Sequence, residues 1–414
     1  MVKRIVIFYL VVLAWSLSFQ KTNAQTNCSC WQQRDTSFHV AQMVGSNGPP
    51  DYRCDDCSTN AIDLPFNFCF WGTNEDSVFI NTNGNITFGA GFATFTPTGF
   101  PAAGIQMISA FWADADNLDD PTRYPYVGSD QIYYKITPTY MVIQWDSIGY
   151  VGPEWGLCPG GAPFTYGDDS LNNTFQIIIS NGNDPIIPDH NNVAFCYKGM
   201  HWTTGAFSPG PCTDSGKGFL GAPATVGANE GDGVNFVQVG RFASPNAVYA
   251  GQYPPGPNYD GVSWLNDKSF QFNLCSGQIA PLISGITPCD TFILCTNDTV
   301  DIHMAFLSPT NTDTTYAGLL PPVPPGVSVI GNHPGNTDSM VVQLIGGTGN
   351  FGFHTINVYT YDNQTPPDTV FVPFVLEVDS NASGTLVASK DTICRGDSSR
   401  LKIINSNTTN YLWS

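Results

Sequence analysis

Between residues 131 and 180, apolar side chains fall again and again on alternate positions. Ile132, Tyr134 and Ile136 are followed by Met141, Ile143 and Trp145, then by Phe175, Ile177 and Ile179. A period of two places such residues on one face of a β-strand, whereas a helix needs a period near 3.6. Pro138-Thr139 separates the first two runs, as a hairpin connection would. Val193, Phe195 and Tyr197 predict a further strand, residues 234–239 another, and residues 270–274 a last one before Cys275. Upstream, Val78-Phe79-Ile80 and Ile86-Thr87-Phe88 flank Asn83-Gly84, a strong short-range hairpin signal.

One stretch breaks the alternation. In residues 107–117, Met107, Ile108, Ala110, Phe111 and Trp112 form an apolar run that stops at Asp114 and Asp116. The run suits a strand buried on both faces. An unpaired carboxylate is costly to bury, so both aspartates are expected at a surface edge where the strand leaves the core.

Strand signals at this spacing argue for an all-β sandwich over residues 62–275. The composition shifts at Ser276. Residues 276–380 predict a second, immunoglobulin-like or cadherin-like sandwich, with strands near 299–304, 326–330, 340–344, 353–361 and 370–378. Residues 381–414 contain the start of a third β module. It is too short to bury a core alone, which leads us to expect that further modules follow. Residues 25–61 read as an irregular cysteine-rich lead-in.

The chain has 414 residues, more than one typical domain. Residues 1–24 have the form of a secretion signal: Lys3 and Arg4, an apolar run, then Thr22-Asn23-Ala24 for cleavage. No later stretch is long enough to span a membrane. Removing this segment takes away three positive charges and no negative ones, so the formal net charge moves from -19 to about -22. Such a chain does not suit nucleic acid, whose phosphates need Lys and Arg. Of the 34 acids only Glu75, Glu154, Glu230 and Glu377 are glutamates. Asp favours turns and caps, which fits the 41 Gly and 31 Pro and an all-β chain.

All 12 cysteines follow the signal. Export makes disulfides the expectation. The candidates are Cys28, Cys30, Cys54, Cys57, Cys69, Cys158, Cys196, Cys212, Cys275, Cys289 and Cys295, and sequence does not give their pairing. Cys289 and Cys295 are spaced for a small local loop. Cys28, Cys30, Cys54 and Cys57 could also be drawn as a four-thiolate zinc site, a reading that export disfavours.

Few motifs carry chemistry. Asp114 and Asp116, with Asp119 and Asp120 nearby, could offer hard oxygen ligands to calcium; no other cofactor is expected. Residues 216–221 spell G-x-G-x-x-G, but no strand precedes and no helix follows, as a dinucleotide loop requires. Arg395-Gly396-Asp397-Ser398 reads like the integrin-binding tripeptide, but a Gly-Asp turn before a strand is the ordinary account. The six histidines form no H-E-x-x-H pair, and no G-x-S-x-G elbow is present. The chain is therefore expected not to be an enzyme. Tyr124, Tyr126, Trp155 and Tyr166 lie in Gly/Pro/Asp-rich segments and are candidates for contacts with a ligand.

Six pieces in order resemble the extracellular NIDO (nidogen-like) domain. They are residues 80–84 (INTNG), 111–116 (FWADAD), 142–145 (VIQW) with Gly149-Tyr150, 173–176 (NTFQ), 201–205 (HWTTG), and 221–224 (GAPA) continuing to 231–236 (GDGVNF). The resemblance covers roughly residues 62–250. The later modules resemble the immunoglobulin-like and PKD-type repeats of large secreted bacterial surface proteins. The resemblance implies a secreted or cell-surface adhesion protein in cell–matrix contact, its head presented on sandwich spacers. Its partner would be extracellular matrix, a glycan or a surface protein. It carries over no ligand site. The alternative is a carbohydrate-active enzyme or a carbohydrate-binding accessory.

Overall fold

The computed structural model describes residues 30–117, 130–150, 171–205, 208, 218–249, 260–275, 280–308 and 313–379, except positions 47, 50, 51, 189, 220, 287–289, 336, 348 and 366. It also describes the backbone of residues 385–388 and 401–404.

Fourteen strands come first. They are β1 (His39–Val40), β2 (Ile62–Phe70), β3 (Thr73–Asn81), β4 (Asn85–Thr87), β5 (Met107–Trp112), β6 (Ala115–Asp116) and β7 (Gln131–Ile136). Then follow β8 (Tyr140–Tyr150), β9 (Asn173–Ser180), β10 (Val193–Tyr197), β11 (Ala224–Asn229), β12 (Phe236–Ser244), β13 (Asp260–Gly261) and β14 (Ser269–Phe272). They form two sheets of seven. One runs β1-β7-β8-β9-β10-β14, with β6 paired to β8; the other runs β13-β12-β11-β5-β4-β3-β2. The alternating residues of the sequence point inward: Ile143, Trp145, Phe175, Ile177, Ile179 and Phe195 join Ile108, Ala110 and Phe111 of β5 in one core.

Part of each outer face is covered by the chain itself. Val142, Ile178 and Ala194, on the outer side of the first sheet, are buried under Cys30, Trp31 and Phe38. A Cys30–Cys196 disulfide holds this strap, and the Gln176 side-chain amide both accepts from Gln32 N–H and donates to Gln32 O. Phe92, Phe100, Ala102 and Ile105 cover Met107 and Trp112 on the second sheet, and Trp112 Nε1 donates to Thr94 O at 2.8 Å. In its described part the irregular lead-in packs on the sandwich, and its His39 and Val40 pair with β7. Irregular chain lies there because Val142, Ile178 and Ala194 are apolar on that side, and removing apolar surface from water is favourable. A Cys69–Cys275 disulfide closes the unit.

The second unit contains β15 (Leu282–Ser284), β16 (Thr291–Cys295), β17 (Thr299–Leu307), β18 (Thr315–Leu319), β19 (Val327–His333), β20 (Thr337–Ile345), β21 (Gly352–Asp362) and β22 (Thr369–Asp379). Two four-stranded sheets, β15-β17-β20-β19 and β16-β22-β21-β18, share a core around Phe306, Met340, Val358 and Phe374. Residues 291–295 are therefore a strand, parallel to β22, rather than a local loop. Cys295 carries a free thiol and Cys289 lies outside the described residues. β23 (Thr385–Ala388) and β24 (Leu401–Ile404) pair antiparallel. Among the described residues no helix is long and apolar enough to cross a membrane.

Candidate functional site

β5 is buried along its whole length. Its carboxyl end meets the β3–β4 hairpin, whose loop is Thr82-Asn83-Gly84. Gly84 has φ +77°, and a Cβ there would overlap the Phe111 carbonyl. Glycine is required twice over, by the left-handed backbone and by the close approach. Phe111 N–H donates to Gly84 O at 3.0 Å, and Ala115 N–H to Asn83 Oδ1 at 2.9 Å.

This corner delivers Asp114 and Asp116 into the interior. They are 2% and 3% exposed, so the expected surface edge is corrected. Three groups remote in sequence close over this corner. The first is the Cys54–Cys57 loop, closed by a disulfide with Asp55 and Asp56 between the cysteines. It docks through Cys54 N–H to Asn117 Oδ1 (3.0 Å) and Cys57 N–H to Thr82 Oγ1 (3.0 Å). The second is Gly205, so close that a Cβ would overlap the Asp114 carboxylate. The third is Ser208, whose hydroxyl donates to Asp114 Oδ2 at 3.4 Å.

Electrostatics follow from the burial. Desolvation first, then the charges of Asp56 and Asp55, push the Asp114 carboxyl up to about 8; Ser208 opposes this, and Asp116 adds to it. Burial raises Asp56 as well, against the Asn83 amide that donates to it at 2.7 Å, and with Asp116 adding to the rise. At neutral pH the corner thus holds a proton on Asp114. Among the described residues, no three His, Cys, Asp or Glu side chains are placed to hold one metal ion. Asp119 and Asp120 lie outside the described residues.

The other sequence candidates separate clearly. Cys30, Cys54, Cys57, Cys69, Cys196 and Cys275 form three disulfides, which removes the zinc reading for Cys30, Cys54 and Cys57. Cys28, Cys158 and Cys212 lie outside the described residues, as do Tyr124, Tyr126, Trp155 and Tyr166. The described residues bordering those aromatic segments come together. Asp116 pairs with Gly149 and Ala115 with Tyr150. Gly149 N–H donates to Asp130 Oδ1 at 3.2 Å. Gly218, from the G-x-G-x-x-G stretch, takes Thr203 and Thr204 N–H on its carbonyl and packs against Trp202 and Tyr150. It is a packing glycine, as its context implied. His201 binds Asn172 O through Nδ1 at the exposed surface.

Sequence reasoning missed Asp55, Asp56, Asn83, Gly205 and Ser208 as neighbours of Asp114. The one local signal was the C-D-D-C spacing, which puts two acids at the tip of a closed four-residue loop.

Comparison with known proteins locates the resemblance. Mouse alpha-tectorin is 27% identical over 216 residues, which is 47% of this chain and 9% of that protein. Human alpha-tectorin is 26% identical over the same shares. The chain thus spans less than a tenth of the curated relatives it matches. Among solved structures, the secreted serine protease VesC from Vibrio cholerae overlays with a TM-score of 0.17 at 11% identity, covering 48% of this chain and 36% of that one. The Vibrio cholerae VesB protease gives 0.21 at 10% identity, covering 77% and 98%. Neither score bears on fold or chemistry. The profile described as "Nidogen-like domain" matches residues 76–249, and that stretch is what the chain shares with the family.

Proposed function

We propose that this is a secreted or cell-surface binding protein acting in cell–matrix adhesion, with the nidogen-like domain as the head and the later β units as spacers. The observation that carries the reading is the nidogen-like match over residues 76–249. The packing adds to it. The apolar parts of both faces of the head sandwich are covered by its own segments, which leaves the polar parts, edges and ends for contact. The borders of the aromatic segments gather at one such end, beside the Asp114 corner. Tyr and Trp are favoured contact residues because they combine a large apolar body with a polar tip. Contacts of this kind are individually weak and gain through multivalent presentation.

The head acts by binding rather than turnover on this reading. Applying the mature chain to an array of glycans and matrix proteins, with a parallel hydrolysis screen, tests it. Binding without product supports adhesion. Turnover that a single Asp or Glu substitution abolishes would make the chain a carbohydrate-active enzyme.

A further inference from the structure

The outer face of the β15-β17-β20-β19 sheet changes character along one strand. On β17 the outward positions run Thr299, Asp301, His303, Ala305 and Leu307. The first three are exposed, Ala305 is half-buried and Leu307 is only 5% exposed. The inward positions Ile302, Met304 and Phe306 lie in the unit's own core. Successive residues of a strand point to opposite faces, so Leu307 is buried against something outside its own sandwich.

The head supplies that contact. Leu307 pairs with Leu282 of β15. Both belong to the head's hydrophobic cluster, which also holds Phe270 and Phe272 of β14 and Leu274. One residue along each strand, Ile283 and Phe306 pack on the second unit's core instead. A single pair of strands thus separates two cores at this point. β14, the edge strand of the head's first sheet, lies beside β15. A contact of different chemistry joins the same two units. Lys268, just before β14, stands over the Trp264 ring at 5.7 Å. Burial works against its ammonium, and the charges of Asp290 and Asp267 favour it. Asp290 belongs to the second unit, where its carbonyl accepts Val375 N–H at 2.8 Å.

We propose that the head and the second unit form one rigid arm, locked at a joint made by Leu282 and Leu307 with the Lys268–Asp290 contact beside it. Relative motion is the default between domains, and an apolar interface opposes it. Opening this joint returns two buried leucines to water, which is unfavourable, and parts Lys268 from Asp290. The connection leaves little slack: Cys275 is tied to Cys69, and only residues 276–281 lie between it and Leu282. The second unit therefore sets the angle of the head rather than tethering it. For a head that binds as proposed above, a fixed angle removes the entropy a hinge would lose on each contact; that consequence rests on the binding reading, and the joint does not.

Thermal unfolding of the full mature chain tests the joint without any ligand, so its outcome is independent of what the head binds. Residues 276–412 contain no Trp, so tryptophan fluorescence follows the head, while circular dichroism follows both units. The two transitions are expected to coincide. Leu282→Gln and Leu307→Gln change the outer face of their own sheet and leave the second unit's core in place. Each is expected to split the transition, with midpoints roughly 4 °C or more apart. His303→Gln, at an exposed position on the same face, is expected to leave the transitions together. If a leucine variant is unfolded before heating, charge exchange decides. Lys268→Asp is expected to split the transition, and Lys268→Asp combined with Asp290→Lys to rejoin it. Separate transitions in the unaltered chain overturn the proposal. So do leucine and charge variants whose transitions stay coincident.

Discussion

Gly205 lies against the carboxylate of Asp114 so closely that no β-carbon fits between them. This contact gives the H-W-T-T-G stretch a physical reason for its glycine. It also explains how an acidic strand end comes to be buried: the chain returns at residue 205 to seal it.

Gly205→Ala is therefore expected to destabilise the head by about 1–3 kcal/mol, the range for overpacking a filled site. Gly84→Ala is expected to cost more, because the added Cβ meets the Phe111 carbonyl and the backbone has φ +77°. Urea unfolding of the two variants checks both the direction and the order.

Stability is expected to fall as pH rises. Asp114 is pushed from 3.8 up to about 8 on folding, so the folded chain holds more protons than the unfolded chain between those values. Stability tied to that proton is fully present below about pH 4 and is lost as pH climbs through about 8. In the second unit, burial chiefly raises Asp338 to about 6, which adds the same sign over a narrower window. Asp114→Asn is expected to flatten the slope and to stabilise the alkaline side by a few kcal/mol, on the order the shift implies. Unfolding curves from about pH 4 to about pH 9 read this directly.

The disulfides divide by role. Cys69–Cys275 and Cys30–Cys196 close long loops, with sequence separations of 206 and 166. Removing either by Cys→Ser is expected to cost roughly 2–5 kcal/mol. The Cys54–Cys57 bond closes a short loop and chiefly holds Asp55 and Asp56 against Asp114. Its removal is expected to lower the Asp114 titration more than the melting midpoint. Melting midpoints and the pH profile of each Cys→Ser pair separate these roles.

Calcium makes a separate test of the same corner. A proton, not a cation, neutralises Asp114 in this account, so melting in calcium and in EDTA is expected to coincide. A midpoint that rises with calcium concentration, as ligand linkage requires, would instead make Asp114 and Asp116 its first ligands.

Much of this was legible in the sequence, and the gaps have causes. β8 and β9 announced themselves because Ile143, Trp145, Ile177 and Ile179 recur at period two on the core face, although Val142 and Ile178 on the other face are buried as well. β11 did not. Ala224-Thr-Val-Gly-Ala-Asn is buried on both sides between β5 and β12, and small residues there show no period. The strap from Cys30 to Phe38 is irregular chain, and only the covered sheet explains its Trp and Phe. Asp114 and Asp116 were read as solvated because the end of a strand says nothing about what folds over it. Asp55, Gly205 and Ser208 reach them only through tertiary structure.

The central claim is that the nidogen-like head binds extracellular material. The most direct measurement is saturable binding of the full mature chain to immobilised matrix, before and after reduction of its disulfides. The account expects binding that saturates, releases no product, and disappears when reduction opens the head. Binding no greater than to an inert protein coat, or binding that persists with the head unfolded, would contradict it.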